Sequence, residues 1–376
     1  MRIAFNAQRL AGQRFGVGRY LEYMIRHWSN ALEANDQLTV FLRKPLIEPL
    51  GDLGSQVEFK VLESGLSGLP WENLRLRQAA SKYDVLFCPA YSAPLGYAGR
   101  VVVATHSVNE TEAGAHDWIY KQTYSRLFRH CAQRADAVIV PGARTRQAVV
   151  DYYRVSKARV HIVHQGADDA FHPLTDEALL SRTRTSFFGV DRPYILFVGK
   201  GSQRRNIPML VEAFARLRAS GEFPHGLVLF GPYLGEPPIE NLCRKFDVVD
   251  DVVQTDGIVE KHGDLVPVYC AADVFVHPSV NEGWSMTTVE ALACGVAVIA
   301  SNRGGLGEVA NGHAFMMENP SVDALTAALR EVLTDQVLRT DLQSRARARG
   351  EALRWEVLAR QTLEIVRATG RIDGAQ

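Results

Sequence analysis

The sequence predicts an α/β protein made of two doubly wound domains, and three observations lead to this fold class. The chain has 376 residues, about the length of two ordinary domains. Short runs rich in β-branched residues alternate with helical stretches along the chain. Strands that are apolar throughout, with helices between them, are typical of parallel sheets covered on both faces. Apolar residues make up 47% of the sequence, so two sizeable cores can form.

The predicted strands fall into two groups. The first group reads RIAF, LTVFLR, DVLFCP, VVVATH, AVIVPG and VHIVHQG, and the second reads YILFVGK, GLVLFGP, DVFVHPS and VAVIAS. The alternation of strands and helices stops between Phe171 and Arg192. We therefore predict a first domain over residues 1–178, a second over 179–352 and a closing helical segment over 353–376.

Composition excludes several classes of protein. The 42 basic residues balance the 42 acidic ones, so no overall charge attracts nucleic acid, and we expect no nucleic-acid partner. The five cysteines show no metal-binding or disulfide spacing, which indicates reduced thiols in the cytoplasm. We find no signal-peptide pattern and no apolar run long enough to cross a bilayer. The expectation is a cytoplasmic protein, peripheral to a membrane at most.

One stretch departs from this balance. Between Lys121 and Val160, Asp136 and Asp151 are the only acids, against nine basic residues: Lys121, Arg126, Arg129, Arg134, Arg144, Arg146, Arg154, Lys157 and Arg159. A solvated helix face is one explanation. An anionic partner, such as the inner face of a membrane, is the other.

Loops that follow strands are the places to look for a site, because open α/β sheets bind ligands beyond the carboxyl ends of their strands. Two such domains facing each other would form one site in a cleft. After RIAF, Gly16 and Gly18 would let the backbone approach a ligand at a helix start, although a plain glycine-rich turn is the alternative. His106 follows the strand VVVAT and is either a site residue or a satisfied histidine.

A cluster of cations follows the strand YILFVG. Lys200, Arg204 and Arg205 stand before a helix that Asn206-Ile207-Pro208 opens. Cations beside a helix start suit a phosphate group. A basic, solvated loop is the competing interpretation.

The stretch NEGWSMTTVE, residues 281–290, carries a glutamate at each end. Thr287 and Glu290 have the spacing of a capping box, in which case Glu282 is an ordinary loop carboxylate. Alternatively, the amides of Ser285, Met286 and Thr287 form an anion site at a helix N-terminus with a carboxylate on either side. A sugar diphosphate would suit such a site, with phosphate at the N–H groups and hydroxyls at the carboxylates.

Taken together, these stretches resemble the retaining GT-B glycosyltransferases of family four over nearly the whole chain. PSVNEGWSMTTVEALACGVAVIAS is similar to the family signature with an E-x7-E pair, which Glu282 and Glu290 match. YILFVGKGSQRRNIPMLVEAF is similar to its segment with Arg-Lys-Asn. The family's opening pattern is similar to FGVGRYLEYMI, its linker pattern to GADDAFHP and its late glycine pattern to GGLGEV. Its last helix, which crosses back onto the first domain, is similar to RWEVLARQTLEIVR.

The chain departs from the family pattern at four places. The departures are Ser107 for the aspartate of His-Asp, Gln165 for the asparagine of Asn-Gly, Gly142-Ala143 for Ser-Glu, and Arg205 for lysine. The last change keeps the charge but alters the hydrogen-bond geometry. The GVGRY opening is similar to members that transfer mannose, which makes GDP-mannose the favoured donor.

The resemblance implies a role for each candidate residue. Arg205, Lys200 and the helix start at Ser285, Met286 and Thr287 would hold the donor diphosphate. Glu282 would bind sugar hydroxyls, and Glu290 the nucleotide ribose. His106 would lie against the donor sugar from the other domain, and Gly16 and Gly18 would let the backbone approach. His106, Glu282 and Arg205 are the predicted catalytic residues.

No Asp-x-Asp triplet occurs in the sequence, so we expect no metal and no cofactor. The implied partners are a nucleotide-sugar donor and a saccharide or lipid-linked acceptor used in polysaccharide or glycoconjugate synthesis. Two alternatives remain open: a nucleotide-sugar 2-epimerase of the same architecture, and a non-catalytic nucleotide-sugar binding protein. The nucleotide base, the linkage and the acceptor are not read from the sequence.

Overall fold

The computed structural model describes residues 1–12, 14, 16–108, 121–233 and 238–371 and divides the chain into two compact units. The first unit comprises Met1–Gln165 and Trp355–Gln376, and the second comprises Gly166–Arg354. The unit boundary thus precedes the predicted one at residue 178. The reason is local: Ala167 bonds to the carbonyl of Leu353, so the chain joins the second unit before its first helix begins.

Within the described residues, the first unit contains a seven-stranded parallel sheet in the order β3-β2-β1-β4-β5-β6-β7. Its strands are β1 Arg2–Asn6, β2 Gln37–Leu42, β3 Val57–Val61, β4 Val85–Cys88, β5 Arg100–Ala104, β6 Ala137–Val140 and β7 Val160–Ile162. Its helices are α1 Val17–Ser29, α2 Gly68–Trp71, α3 Arg77–Ala80, α4 Arg126–Arg134, α5 Ala143–Tyr153 and α14 Trp355–Gly370. A π-helical segment, Glu72–Leu76, joins α2 to α3, and another, Lys121–Ser125, precedes α4.

The second unit contains, in its described part, a six-stranded parallel sheet in the order β10-β9-β8-β11-β12-β13. Its strands are β8 Tyr194–Val198, β9 Gly226–Phe230, β10 Val252–Thr255, β11 Val274–His277, β12 Val298–Ser301 and β13 Phe315–Met317. Its helices are α6 Glu177–Phe188, α7 Ile207–Ala219, α8 Ile239–Lys245, α9 Leu265–Cys270, α10 Met286–Ala293, α11 Leu306–Ala310, α12 Val322–Thr334 and α13 Gln336–Ala352. Single 3-10 turns occur at Lys157–Arg159 in the first unit and at Gln203–Arg205, Val249–Asp251 and His262–Asp264 in the second.

The predicted fold class is confirmed, and the strands that the sequence did not predict share one property. All three, β3, β10 and β13, lie at the edge of a sheet. An edge strand buries less of its surface than a central one, so it need not be apolar throughout. In β3, for example, Glu58 and Phe59 are exposed. These edge strands therefore lack the continuous apolar runs by which central strands are predicted.

The closing helix α14 packs on the first unit, as the resemblance implies. Trp28 Nε1 donates to the carbonyl of Ala359 at 2.8 Å. Arg367 pairs with the buried Asp36 near the start of β2. Trp355 stacks on Tyr23, with ring centroids 5.6 Å apart. These contacts tie the last helix to the first helix and sheet of the chain.

Each sheet has a switch point, where the chain reverses the direction in which strands are added. In the first sheet it lies between β1 and β4, and in the second between β8 and β11. Crevices at switch points are where doubly wound sheets bind their ligands. Among the described helices, none has both the length and the apolar composition needed to span a bilayer.

Candidate active site

Two loops meet at the switch point of the second unit. One follows β8 and carries Arg204 and Arg205 in a 3-10 turn, and the other follows β11 and carries Glu282. The amide of Val280 donates to the carbonyl of Arg204 at 2.9 Å, which joins the two loops. Asn206, in the left-handed region with φ 54°, then starts α7. The predicted gathering of Arg205 and Glu282 is therefore present within one unit.

Glu282 is the centre of this cluster. Its side chain is 3% exposed, and both of its oxygens meet cations. Arg205 Nη1 lies 2.9 Å from Oε1, and Arg204 Nη1 lies 3.3 Å from Oε2. Ser279 Oγ also donates to Oε1 at 3.2 Å. The carboxylate thus holds two guanidinium groups in place at the end of β11.

His277, which ends β11, is completely buried and completes the cluster. Arg205 Nη1 lies 2.6 Å from His277 Nε2, and because a guanidinium only donates, Nε2 must accept. The proton is then on Nδ1, which donates to Thr288 Oγ1 at 3.1 Å. Thr288 Oγ1 in turn donates to Ser285 Oγ at 2.9 Å. This chain of hydrogen bonds links Arg205 to the first turn of α10.

The charges of the cluster follow from these contacts. Burial raises the pKa of Glu282, but the charge of Arg205, with help from Arg204 and His277, outweighs it and lowers the pKa to about 2. Burial lowers the pKa of His277 to about 4, against the opposing attraction of Glu282. At neutral pH the cluster therefore holds an ionised carboxylate, a neutral imidazole and two guanidinium cations.

Two glycines fix the backbone that carries Glu282. The amide of Gly305 donates to the carbonyl of Glu282 at 2.5 Å. A Cβ atom on Gly304 would lie 2.3 Å from that carbonyl oxygen, and one on Gly305 would lie 2.2 Å from the carbonyl oxygen of Gly283. Gly304 also has φ +60°, which favours glycine. The Gly-Gly pair of the GGLGEV stretch thus allows two backbones to pack in direct contact.

The start of α10 tests the capping-box interpretation of residues 281–290. Ser285, and not Thr287, caps the helix, because its hydroxyl accepts from the amide of Thr288. Glu290 lies in the second turn, beyond the position that a capping box requires. The capping-box interpretation is therefore wrong. Met286 and Thr287 occupy the first turn, where N–H groups lack acceptors within the helix.

Glu290 is buried one turn along α10 and has its own partners. Tyr269 Oη donates to Oε2 at 2.8 Å, and His262 Nε2 lies 3.1 Å from Oε1. Neither partner was predicted from the sequence, because both come from a separate stretch that ends in α9. Lys200, by contrast, is exposed, and within the described residues its ammonium group makes neither a hydrogen bond nor an ion pair.

In the first unit, His106 has hydrogen bonds to both ring nitrogens. Nε2 lies 2.7 Å from the carbonyl of Pro89, and Nδ1 lies 2.7 Å from Nε2 of Gln165. Since the carbonyl only accepts and the amide NH₂ only donates, the proton is on Nε2 of the ring. Burial lowers the pKa of His106 to about 4, so the ring is neutral. Gln165, one of the departures from the family pattern, thus holds His106 in one tautomer.

Gly16 and Gly18 stand at the start of α1. Gly16 caps the helix with φ +45°, and a Cβ there would meet open space. The backbone conformation therefore explains why this position is a glycine, because other residues would be strained there. Gly18 lies within the first turn, where a Cβ would make ordinary contacts with Arg9 and Arg14.

The basic stretch is largely exposed. Arg126, Arg129 and Arg134 on α4 are exposed, as are Arg144, Arg154 and Lys157. Arg159 instead donates to the carbonyls of Gln133 and Ala135, at 3.0 and 2.9 Å, and so supports the fold. The side chain of Lys121 lies outside the described residues. The structure is compatible with both interpretations of the stretch.

Comparisons with known proteins agree with this architecture. The family model "Glycosyl transferases group 1" matches residues 183–349, and the model "Glycosyltransferase Family 4" matches residues 16–171. A sucrose-phosphate synthase from Thermosynechococcus elongatus superposes with a TM-score of 0.79 at 22% identity, covering 98% of both chains. At that identity the likeness shows a shared fold.

Two relatives are similar in sequence. D-inositol 3-phosphate glycosyltransferase of Kineococcus radiotolerans is 30% identical over 62% of this chain and 58% of its own length, so the chain spans little more than half of that relative. GDP-mannose-dependent alpha-(1-6)-phosphatidylinositol monomannoside mannosyltransferase of Mycolicibacterium smegmatis is 29% identical over 86% of this chain and 87% of its own. Since family models match both units and the fold agrees, the chain belongs to the group 1 glycosyl transferases of GT-B fold.

Proposed function

We propose that the protein is a retaining glycosyltransferase that moves a sugar from a nucleoside-diphosphate sugar to a saccharide or lipid-linked acceptor. The observation that carries this proposal is the convergence of Arg204, Arg205 and Glu282 beside the start of α10, at the switch point of the second sheet. Guanidinium groups and helix N-termini both bind phosphate. Doubly wound sheets bind nucleotides in the crevice at such a switch point.

The diphosphate would share the arginines with Glu282. Arg204 is 43% exposed, so it turns towards a ligand at little cost, while Arg205 is held by both Glu282 and His277. The two cations and the amides of Met286 and Thr287 then stabilise the negative charge that develops on the leaving diphosphate. Glu282 stays ionised because of its low pKa. Its carboxylate accepts hydrogen bonds from sugar hydroxyls and stabilises the oxocarbenium-like charge on the transferred sugar.

Two other predicted roles belong to this proposal. Glu290 binds the nucleotide ribose, with Tyr269 and His262 orienting its carboxylate. His106 has a neutral ring whose two nitrogens are already bonded, so the role we assign it is packing and orientation and not proton transfer. Lys200 adds an exposed cation to the loop after β8.

GDP-mannose is the favoured donor. The mannosyltransferase that resembles this chain over 86% of its length is named as dependent on that donor. A thermal-shift panel with GDP-mannose, UDP-glucose and ADP-glucose tests the choice, because a ligand that binds only the folded state raises Tm. We expect the largest rise with GDP-mannose. A flat response to every member of the panel would contradict the proposal.

The stereochemistry and the reaction class need a product assay. Proton NMR of the product should show the anomeric configuration of the donor retained in a new glycosidic bond. Inversion would contradict the retaining mechanism. Conversion of the donor to its 2-epimer without any acceptor would instead identify the protein as an epimerase of the same fold.

We place the protein in the cytoplasm, peripheral to the inner face of a membrane. The exposed arginines of α4 support this assignment, since clustered basic residues bind anionic lipid head groups. Binding to vesicles of anionic and of zwitterionic lipid should differ, and the difference should shrink as salt rises. The variant Arg126→Gln/Arg129→Gln should lose this preference for anionic vesicles. A matched change of exposed basic residues on α8 of the second unit, Arg244→Gln/Lys245→Gln, should not.

A further inference from the structure

A second polar cluster lies at the other switch point, between β1 and β4 of the first unit. Asn6 ends β1, Gln8 and Arg9 follow it, and Ser92 follows β4. Glu72 reaches the same place from the π-helical segment before α3. The donor chemistry proposed above uses none of these residues. They occupy in the first sheet the position that Glu282 and its arginines occupy in the second.

Glu72 is fully buried and takes all of its hydrogen bonds through one oxygen. Oε2 accepts from Gln8 Nε2 at 2.6 Å, from Ser92 Oγ at 2.9 Å and from Asn6 Nδ2 at 3.2 Å. Oε1 is also buried and accepts no hydrogen bond within the described residues. A buried acceptor without a donor costs about 1–3 kcal/mol. Stability alone therefore does not explain a carboxylate at this position, whereas a role in positioning its neighbours does.

Gln8 is half-buried, so its side chain is within reach of a ligand from solvent. Glu72 holds its Nε2, and its backbone amide donates to Asn6 Oδ1 at 3.3 Å. With the NH₂ group fixed towards Glu72, the orientation of the amide is set. Its Oε1 receives no hydrogen bond from the residues that the structure describes. This oxygen is therefore an acceptor that is held in place and available to a hydroxyl group.

Arg9 brings a positive charge to the same place. Its side chain is exposed, and its guanidinium forms no ion pair in the described ranges of the chain. Burial raises the pKa of Glu72, and the three hydrogen bonds and then the charge of Arg9 oppose that rise. The same charge acts on His106, where it adds to the effect of burial. Arg9 directly follows Gln8 in the chain, and among the described residues its exposed guanidinium is not neutralised by a salt bridge.

The backbone next to Ser92 is strained, which supports a functional role. Tyr91 has φ 71°, in the left-handed region that an aromatic residue rarely adopts. Strain of this kind persists where the surrounding structure needs a side chain in one position, and it is common at ligand sites. Here it precedes the hydroxyl that donates to Glu72.

We propose that Gln8 and Arg9 form an acceptor subsite, in which Gln8 Oε1 binds a hydroxyl of a polyol or saccharide and Arg9 binds a phosphate on the same molecule. Glu72 is a positioning residue, which orients Gln8 without touching the ligand. Arginine suits phosphate because its fork of donors matches two phosphate oxygens. The inference rests on the proposed function and extends it from the donor to the acceptor.

Kinetics with paired probes test the subsite. The probes are myo-inositol 1-phosphate against myo-inositol, and mannose 6-phosphate against methyl α-mannoside, with release of nucleoside diphosphate as the readout. Arg9→Gln should raise the KM of the phosphorylated probes about tenfold, the scale of a lost charged hydrogen bond, and that of the others by less than about twofold. Gln8→Ala should raise the KM of both members of a pair about threefold to tenfold. Arg75→Gln, an exposed change on the same π-helical segment as Glu72, is the matched control and should match the wild type.

Glu72→Gln separates positioning from a purely structural role. Positioning predicts a higher acceptor KM with an unchanged donor KM, whereas a structural role predicts a lower Tm and an unchanged KM ratio. The proposal is overturned if Arg9→Gln and Gln8→Ala both keep acceptor KM values within about twofold of the wild type. It is equally overturned if the wild type shows no preference for phosphorylated probes.

Failure of the proposed function would look different. In that case no nucleotide sugar would raise Tm or release nucleoside diphosphate. The subsite would then be tested alone, by the rise in Tm that myo-inositol 1-phosphate causes in the wild type and in Arg9→Gln. A rise in the wild type that the variant loses supports the subsite, and equal responses contradict it.

Discussion

Glu282 and Glu72 are two buried carboxylates in equivalent positions whose chemistry is opposite. Each lies at the switch point of its own sheet, and their exposures are 3% and 0%. Burial raises the pKa of both, but within the described residues only Glu282 of the two forms ion pairs with arginines, and these bring its pKa down to about 2. Glu72 has three neutral donors on one oxygen and forms no salt bridge in the described ranges, and the donors together with the more distant charge of Arg9 are too weak to reverse the rise. Burial alone therefore does not decide the charge of a carboxylate, whereas its partners do.

The two buried histidines, His277 and His106, have similar pKa values although their hydrogen-bond partners differ. Burial lowers the pKa of both His277 and His106 to about 4. One is held by Arg205 and Thr288, and the other by Pro89 and Gln165, and these partners select opposite tautomers. The same pKa therefore accompanies different orientations, and the neighbour sets which nitrogen carries the proton.

The largest effect should come from replacing Glu282, and a comparison with the same replacement at Glu72 tests the difference between the two carboxylates. Glu282→Gln should lower kcat/KM by an amount equivalent to about 3–4 kcal/mol of transition-state stabilisation, the scale of one lost transition-state contact. The reason is that the variant keeps the shape of the side chain and loses its charge. Glu72→Gln should cost far less, and its loss should fall on the acceptor KM. Glu260→Gln, an exposed loop change in the second unit, is the control. Equal losses for the two buried glutamates would remove the distinction between them.

The second prediction concerns the pH dependence of stability. The folded-state pKa of Glu282 is depressed from 4.5 to about 2, so its stabilisation is present above pH 4.5 and is lost as pH falls towards 2. The full difference amounts to about 3 kcal/mol. The pKa of Glu72 is raised, so ionising it weakens the folded state as pH rises above 4.5. Unfolding free energies of Glu282→Gln and Glu72→Gln, each relative to the wild type, should therefore change with pH in opposite directions.

The third prediction addresses the backbone that carries Glu282. Gly304 and Gly312 both have positive φ, but only Gly304 has backbone atoms where a Cβ would stand. Gly312→Ala should cost about 1–2 kcal/mol for its φ alone. Gly304→Ala should cost about 1–3 kcal/mol more, from the collision with Glu282, and should weaken binding of GDP. Similar unfolding curves for the two variants would show that the close contact is unimportant.

The fourth prediction tests whether His277 positions Arg205. The dissociation constant of GDP is measured for Arg205→Lys, for His277→Asn and for the double variant. We expect a coupling energy of about 1 kcal/mol, because residues in contact do not act additively. Arg204→Lys serves as the matched control, since Arg204 contacts the other oxygen of Glu282. Coupling that is equal for both arginines would contradict a specific role for the 2.6 Å contact.

The smallest effect should follow the removal of metal. We expect donor binding and turnover to change by less than about twofold in excess EDTA, because in the proposed site Arg204 and Arg205 would supply the positive charge that a divalent ion brings elsewhere. The comparison is with a parallel sample to which Mg²⁺ or Mn²⁺ is added. Complete loss in EDTA with recovery on metal addition would contradict a metal-independent mechanism.

Prediction from the sequence was strongest for buried strands and weakest at sheet edges. β8 and β11 were predicted because they are apolar throughout, and β3 was not because its outer residues are exposed. The site was predicted in part for the same reason. Arg205 and Glu282 follow strongly predicted strands, so parallel topology places them together. The support of Glu290 by Tyr269 and His262 was missed, because those residues precede a strand.

The sequence by itself determined the α/β class, the family and the position of the two loops that meet at the second switch point, because apolar runs and glycine motifs are local signals. The tertiary structure alone decided which partner each buried polar group received. Glu72, Gln8 and Asn6 are far apart or unremarkable in sequence, and Gln165 becomes the partner of His106 only when β5 and the end of the first unit meet. Charge and tautomer depend on those partners through distances of a few ångströms, and such distances are not encoded by any local pattern.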